Sequence, residues 1–272
     1  MKRIIKSDTV YILIFFLSVI LIGTFLLSLP SAWAGTSEQP ERLEVIDAFF
    51  TATSAVCVTG LITVNTSDFS RFGQIVIMLL IQIGGLGIIS ITSLRLMVPG
   101  QRLSIRRLRT IKSFYLSGVE HDPSKILRNI VLLTFFIELA GIAVLFLFFT
   151  KAGIPDSGFS AFFHSISAFC NAGFSLYNDS LEGFATSPGV LLTFTVLIIT
   201  GGIGFIVLQD ISLRLRRRKS KLSYHTKLIL SCTVILIFFG AAAFWFLEKN
   251  NTLIGLRAVD SLINALFQSV TT

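Results

Sequence analysis

The sequence predicts an all-α polytopic membrane protein made of repeated units, each a membrane helix, a short re-entrant helix and a second membrane helix. Three observations predict it. The 272 residues are 53% hydrophobic and only 14% charged, with 26 phenylalanines and a mean hydropathy of +0.80, which is too apolar for a soluble domain of this length. Long apolar runs at 10–29, 72–94, 129–150, 189–208 and 228–247 each supply roughly the 20 residues that an α-helix needs to cross ~30 Å of hydrocarbon. A short stretch between the first two runs, DAFFTATSAVCVTGL at 47–61, returns 113 residues later as SAFFHSISAFCNAGF at 160–174. A third copy starts as FQSVT at 267–271, which reads against FHSIS at 163–167. Such self-similarity outranks any single-residue signal and divides the chain at 1–113, 114–225 and 226–272: two complete repeats and an incomplete third.

Taken in order, the chain opens like a secretory signal, with basic Met1-Lys2-Arg3, an apolar run and an A-x-A pattern at Ala32-Trp33-Ala34. The run is some 20 residues long against the 7–15 of a signal, so it is read as a retained first helix ended by Pro30. Residues 45–56 are too few to span and lie between a polar loop and Gly60, which fits a re-entrant half-helix. The second half-helix precedes Cys170 to Gly173, and the third covers about 259–272, so that its loop begins within a few residues of Thr272. The expectation is either the amino-terminal part of a longer protein or a shortened form that assembles with another polypeptide.

Charge sets the orientation. With Lys2, Arg3 and Lys6 on one side and one crossing per span, the loops 95–128, with eight Lys/Arg, and 214–227, with seven, fall on that same side. The other side holds Arg42, Arg71, Lys151, Lys249 and Arg257, so eighteen positive residues stand against five. The amino terminus and both basic loops are therefore expected in the cytoplasm and the protein in the cytoplasmic (inner) membrane, crossing it several times. The net charge of +8 does not indicate nucleic acid, because the run RLRRRK at 214–219 abuts a span, where anionic lipid accounts for it. Outside, Glu38, Glu41, Glu44, Asp47, Asp68, Asp156, Asp179 and Glu182 either form a weakly cation-attracting vestibule or mark nothing more than the scarcity of Lys/Arg there.

The repeated loops carry the chemistry. Irregular backbone at membrane depth is tolerated only where protein or water satisfies its polar groups. A loop that enters from outside, turns at Cys57-Val58-Thr59-Gly60 or Cys170-Asn171-Ala172-Gly173 and climbs back can offer consecutive carbonyl oxygens in place of the water shell of a cation. Each half-helix aims its negative carboxyl end at the same point, and Gly60 and Gly173 permit backbone angles closed to other residues. The bland alternative is a helix break buried in a bundle; two copies at matching places favour a pore. Gly84, Gly85 and Gly87 in the second run, and Gly201, Gly202 and Gly204 in the fourth, serve close helix packing, a hinge, or both. Glu138, mid-span, is a buried charge that is paired, protonated or turned to protein, as a structural hydrogen bond or a coupling-proton site. His164 aligns with Thr51 and Gln268, polar types that favour a structural hydrogen bond. Cys57, Cys170 and Cys232 are expected as free thiols without metal spacing. The repeat explains Cys57 and Cys170 as matching loop positions, which leaves no nucleophile and base set for an enzyme.

With these residues in place, the chain resembles the membrane subunit of the Trk/Ktr/HKT potassium-transporter superfamily, the Ktr and TrkH types most of all. The matching pieces are TATSAVCVTGL at 51–61, QIGGLG at 82–87, AFCNAGF at 168–174 and FQSVTT at 267–272. The resemblance implies four repeats, each a membrane helix, a re-entrant pore helix and a membrane helix, around one K+ pathway, with one filter strand from each. On that pattern Cys57, Val58, Thr59 and Gly60 look like the first strand and Cys170, Asn171, Ala172 and Gly173 like the second. It also implies a homodimer on cytosolic nucleotide-binding regulatory subunits, no cofactor in this chain, no metal beyond the transported K+, and in some members Na+ as coupling ion. The function so implied is potassium uptake; the alternative is a non-conducting membrane component that assembles with or modulates a full-length transporter.

Overall fold

The structure, a computed structural model, describes residues 8–35, 42–97, 123–216 and 221–272. Lys2, Arg3, Lys6, Glu38, Glu41, most of the 95–128 loop, and Arg217, Arg218 and Lys219 lie outside the described residues. Among the described residues the chain is helical: α1 (Asp8–Leu27), α2 (Val45–Cys57), α3 (Arg71–Met97), α4 (Pro123–Lys151), α5 (Ser157–Phe169), α6 (Pro188–Gly202), α7 (Phe205–Leu215), α8 (Tyr224–Glu248) and α9 (Ala258–Thr271). The chain divides into two compact units, one of residues 1–88 with 142–183 and the other of residues 89–141 with 184–272.

In the first unit α1 packs against α2. The contact depends on small residues: Ala48, Ala52 and Ala55, spaced four and three apart, form a fully buried face of α2. A Cβ on Gly23 of α1 would lie 3.3 Å from the Cβ of Ala52 and 2.7 Å from a methyl of Leu80 on α3. Lipid is as apolar as leucine, so helices in a bilayer gain little from hiding hydrocarbon and associate through such close van der Waals fit. On the polar side, the segment after α1 pairs with the segment before α3. Ala34 N–H donates to Asp68 O (3.0 Å), Ser70 N–H donates to Ala32 O (3.0 Å), and the rings of Trp33 and Phe69 meet edge to face at 5.1 Å. Arg71, at the start of α3, forms an ion pair with Asp156 and lies 3.8 Å over the ring of Phe159.

In the second unit Pro188 sits in the first turn of α6, where its missing N–H costs nothing. The side chain of Ser223 caps α8 by accepting from Thr226 N–H (3.2 Å), while Ser223 N–H donates to buried Asp210 of α7 (2.8 Å). Helix α9 packs on α6 and α8. Ser269 Oγ donates to Ile237 O (3.0 Å) beside Gly240, Asn264 Nδ2 donates to Ala185 O (2.7 Å), and Arg257 holds buried Asp260 through Nε (2.7 Å) and Nη2 (3.2 Å). Helix α8 is largely apolar and open, with Leu236, Phe238, Phe239 and Leu247 all exposed.

Two of the five expected spans are not straight. Among the described residues, 128–151 and 224–248 are each long and apolar enough to cross a membrane, and a third span results if α6 and α7 are taken together. Those two helices meet at 103° across Ile203-Gly204, with Gly204 at φ +86, so the run 189–208 is bent, the geometry of a broken span or of a re-entrant loop. The run 72–94 changes direction at Gly87 (φ +55, ψ −155), leaving 71–87 as a shorter apolar helix; the described apolar part of α1, 12–27, is also short. Apolar composition reports where hydrocarbon is tolerated, whereas direction is decided at one glycine with positive φ.

The fit around Gly73 makes a stability prediction. A Cβ there would lie 2.2 Å from the carbonyl oxygen of Ala32, whereas a Cβ on Gly158 meets nothing nearer than a Phe146 ring atom at 4.0 Å. Gly73→Ala should lower stability by about 1–3 kcal/mol. Gly158→Ala should be neutral or stabilising by up to about 1 kcal/mol. Thermal unfolding in lipid nanodiscs checks this, and equal midpoints for the two variants would contradict the packing described.

Candidate functional site

Helices α2 and α5 have the same length, 13 residues, and end in the same way. Val58 N–H donates to Ala55 O (3.3 Å) and Thr59 N–H to Ser54 O (3.0 Å); 113 residues on, Asn171 N–H donates to Ala168 O (3.1 Å) and Ala172 N–H to Ser167 O (2.8 Å). This crossed pair is a Schellman closure. It satisfies two of the last helical carbonyls and requires a left-handed residue just past the helix. Val58 (φ +57) and Asn171 (φ +56) take that position, and Gly60 (φ +70) and Gly173 (φ +73) follow two residues later. Asparagine is at home there, whereas a β-branched valine is strained.

The two loops meet backbone to backbone. A Cβ on Gly60 would lie 2.6 Å from Ala172 O and 3.0 Å from the Cα of Gly173, and one on Gly173 would lie 3.3 Å from the Cα of Gly60. Cys57, Thr59, Asn171 and Gly173 are exposed, Val58, Gly60 and Cys170 half-buried, and Ala172 buried. No Asp, Glu, Lys, Arg or His lies in 57–60 or 170–173, so backbone dipoles, including the carboxyl ends of α2 and α5, contribute to the local field.

The glycines of α3 divide their work. A Cβ on Gly84 would lie 2.1 Å from Val56 O, and one on Gly85 would lie 2.4 Å from Cys170 Sγ, so α3 is seated against both loop ends at once. Cys170 Sγ–H is directed at Gln82 Oε1 (3.9 Å). Gly87 has open space around it and instead supplies the positive φ at the break. Gly201 and Gly202 close α6, Gly204 carries the bend into α7, and Glu138 is buried in α4; all four belong to the second unit and are described within it. The three cysteines are free thiols. Among the described residues no group of three or more His, Cys, Asp or Glu is placed to hold a metal.

Sequence reasoning missed the serines around these loops. Ser54 Oγ pairs with Thr59 Oγ1 (2.9 Å), and Ser167 Oγ donates to Phe174 O (2.7 Å). Both serines occupy the same place in the repeat, which was the available signal. Ser160 Oγ lies 2.6 Å from the hydroxyl of Tyr177, whose pKa burial raises above its ordinary value against the opposing effect of that hydrogen bond, so the phenol stays protonated. The contact of Gly85 with Cys170 had no local signal, because it joins residues far apart in the chain.

Residues 3–272 match the TrkH family, described as cation transport proteins. The chain is 37% identical over 266 residues to the Ktr system potassium uptake protein B of Vibrio alginolyticus, covering 95% of this chain and 56% of that protein. It is 40% identical over 261 residues to the protein of the same name from Bacillus subtilis, covering 94% and 57%. It is 38% identical over 263 residues to the potassium/sodium uptake protein NtpJ of Enterococcus hirae, covering 94% and 56%. The crystal structure of the potassium transporter TrkH from Vibrio parahaemolyticus shares the fold, with a TM-score of 0.57 and 21% identity over 94% of this chain and 49% of that one. The chain thus spans a little over half the length of the relatives it matches. A match that runs from residue 3 to residue 272 places this membrane chain in the TrkH family of cation transport proteins.

Proposed function

We propose that the chain contributes to potassium uptake across the cytoplasmic membrane, with the backbone carbonyls of Cys57 to Gly60 and Cys170 to Gly173 lining part of the ion path. The observation that carries this reading is the meeting of two identically closed glycine loops at Gly60 and Gly173. The Schellman closure engages the carbonyls of Ser54, Ala55, Ser167 and Ala168 in the same way in both loops, so the two turns present matching backbone to one another. Relatives named as potassium or potassium/sodium uptake proteins support K+ as cargo and Na+ as a second ion to test. With the amino terminus and basic loops inside, the membrane potential supplies about 2.3 kcal/mol per 100 mV for each K+, or roughly fifty-fold accumulation, and this chain needs no ATP chemistry of its own. Partners on this reading are membrane lipid, a second copy of the chain and cytosolic nucleotide-binding regulatory subunits.

A second reading is favoured by the share of its relatives' length that the chain spans and by the two filter strands it supplies where the family resemblance implies four. On it, the chain is a non-conducting component that completes a path only with further polypeptide. Uptake of radioactive Rb+ into liposomes holding the purified protein and an inside-negative potential separates the two. Uptake that K+ competes away and Na+ does not supports the first reading. Silence in liposomes with uptake in cells supports the second, and silence in both removes the transport proposal.

The glycines make a graded prediction. Both glycines sit at positive φ, but a Cβ on Gly60 would drive into the second strand itself, 2.6 Å from Ala172 O, so Gly60→Ala should lower the Rb+ over Na+ preference about tenfold or more, whereas a Cβ on Gly173 meets only the Cα of Gly60 in the first strand, at 3.3 Å, and Gly173→Ala should lose less. Relative fluxes of the two ions through each variant check the order.

A further inference from the structure

The strand that leaves Gly173 is stitched to its own half-helix by a ladder of side chains. Ser160, His164 and Ser167 stand on α5 at intervals of four and three residues and so share one face. Ser167 Oγ donates to Phe174 O at 2.7 Å. Leu176 N–H donates to His164 Nε2 at 3.3 Å, and Ser175 Oγ lies 3.1 Å from the same nitrogen. Ser160 Oγ lies 2.6 Å from the Tyr177 hydroxyl. Because Nε2 accepts the Leu176 N–H, a neutral ring carries its proton on Nδ1, which donates to Ser160 O at 2.7 Å. The imidazole is thus a two-ended brace between the helix and the outgoing strand. It is fully enclosed, stacked on Tyr177 with ring centroids 4.7 Å apart and met edge-on by Phe149 and Phe163.

The first loop lacks this brace. Thr51 stands where His164 stands, and its hydroxyl is buried without a hydrogen-bond partner. Ser54, in the place of Ser167, turns to the Thr59 side chain instead of a strand carbonyl. The first loop also carries the strained left-handed Val58, where the second has Asn171.

We propose that His164 is a positioning residue that holds the strand after Gly173 in register with α5, so that the second filter strand is the rigid member of the pair and dominates discrimination between K+ and Na+, while the first is compliant. The consequence for ions rests on the potassium path proposed above; the brace itself does not.

The test uses the protein expressed from its natural gene, with two readouts: the Rb+ to Na+ flux ratio, and amide hydrogen exchange at Leu176. His164→Ala should lower the ratio and speed the exchange, each by about tenfold, the factor that one buried hydrogen bond left unmade commonly carries. His164→Gln keeps an acceptor for Leu176 N–H and should recover part of both. Thr51→Val removes the unpartnered hydroxyl of the first loop and should leave both within about twofold. An unchanged ratio in His164→Ala, or an equal fall in Thr51→Val, overturns the assignment of selectivity to the second strand. Should His164→Ala fail to reach the membrane, Ser167→Ala breaks the neighbouring rung and carries the same expectations. If the unmutated protein moves no Rb+, the transport reading fails, and exchange at Leu176 still decides the brace: unchanged exchange refutes it.

Discussion

The close approach of Gly60 to Gly173 is the constraint on which the first unit depends. Two loop backbones pack with no side chain between them, so everything that presents them must also be slim at the point of contact. Alanines line the buried face of α2, Gly84 lets α3 lie against the carbonyl of Val56, and Gly85 makes room for the sulfur of Cys170. In a bilayer such fit is the main source of association between helices, so the same small residues that bring the loop backbones together also hold the helices together.

The sequence showed much of the fold and part of the site. Helices stand where the short runs at 45–56 and 259–272 were expected, as Val45–Cys57 and Ala258–Thr271, and the first is bounded by a polar loop before it and by Gly60 after it. The runs at 72–94 and 189–208 are continuous in composition, and the backbone turns within them at Gly87 and Gly204, members of the two glycine motifs for which a hinge was one of the roles expected. Three glycines in one motif looked alike on paper. Only the neighbours distinguish Gly84 and Gly85, which are crowded, from Gly87, which has open space and an unusual φ. The matching end geometry of the two loops was legible in outline, since cysteine and glycine recur at a fixed offset; the valine held in a left-handed conformation was not, because residue type argues against it.

Near-identity of sequence pattern therefore hides a difference in how firmly each loop is held. One helix end has its strand tied by Ser167 and His164, and the other leaves the Thr51 hydroxyl unpartnered and Val58 strained. Strain of this kind costs roughly 1–3 kcal/mol and persists only where the surroundings enforce it. The repeat supplies a common frame, and single substitutions within it decide which copy resists deformation.

The bend between α6 and α7 has a bearing on where water reaches. Helix α6 has 15 residues and so rises only about 22 Å, less than the ~30 Å of a hydrocarbon core, before the backbone swings through 103°. Peptide groups released at such a corner cannot face acyl chains without losing several kcal/mol each. Placed in a bilayer, the corner at Ile203-Gly204 must therefore border either other protein or a solvent-filled recess. A recess there makes the dry layer thinner than the lipid around it, and the membrane voltage then falls over a shorter distance, giving a steeper field within the protein.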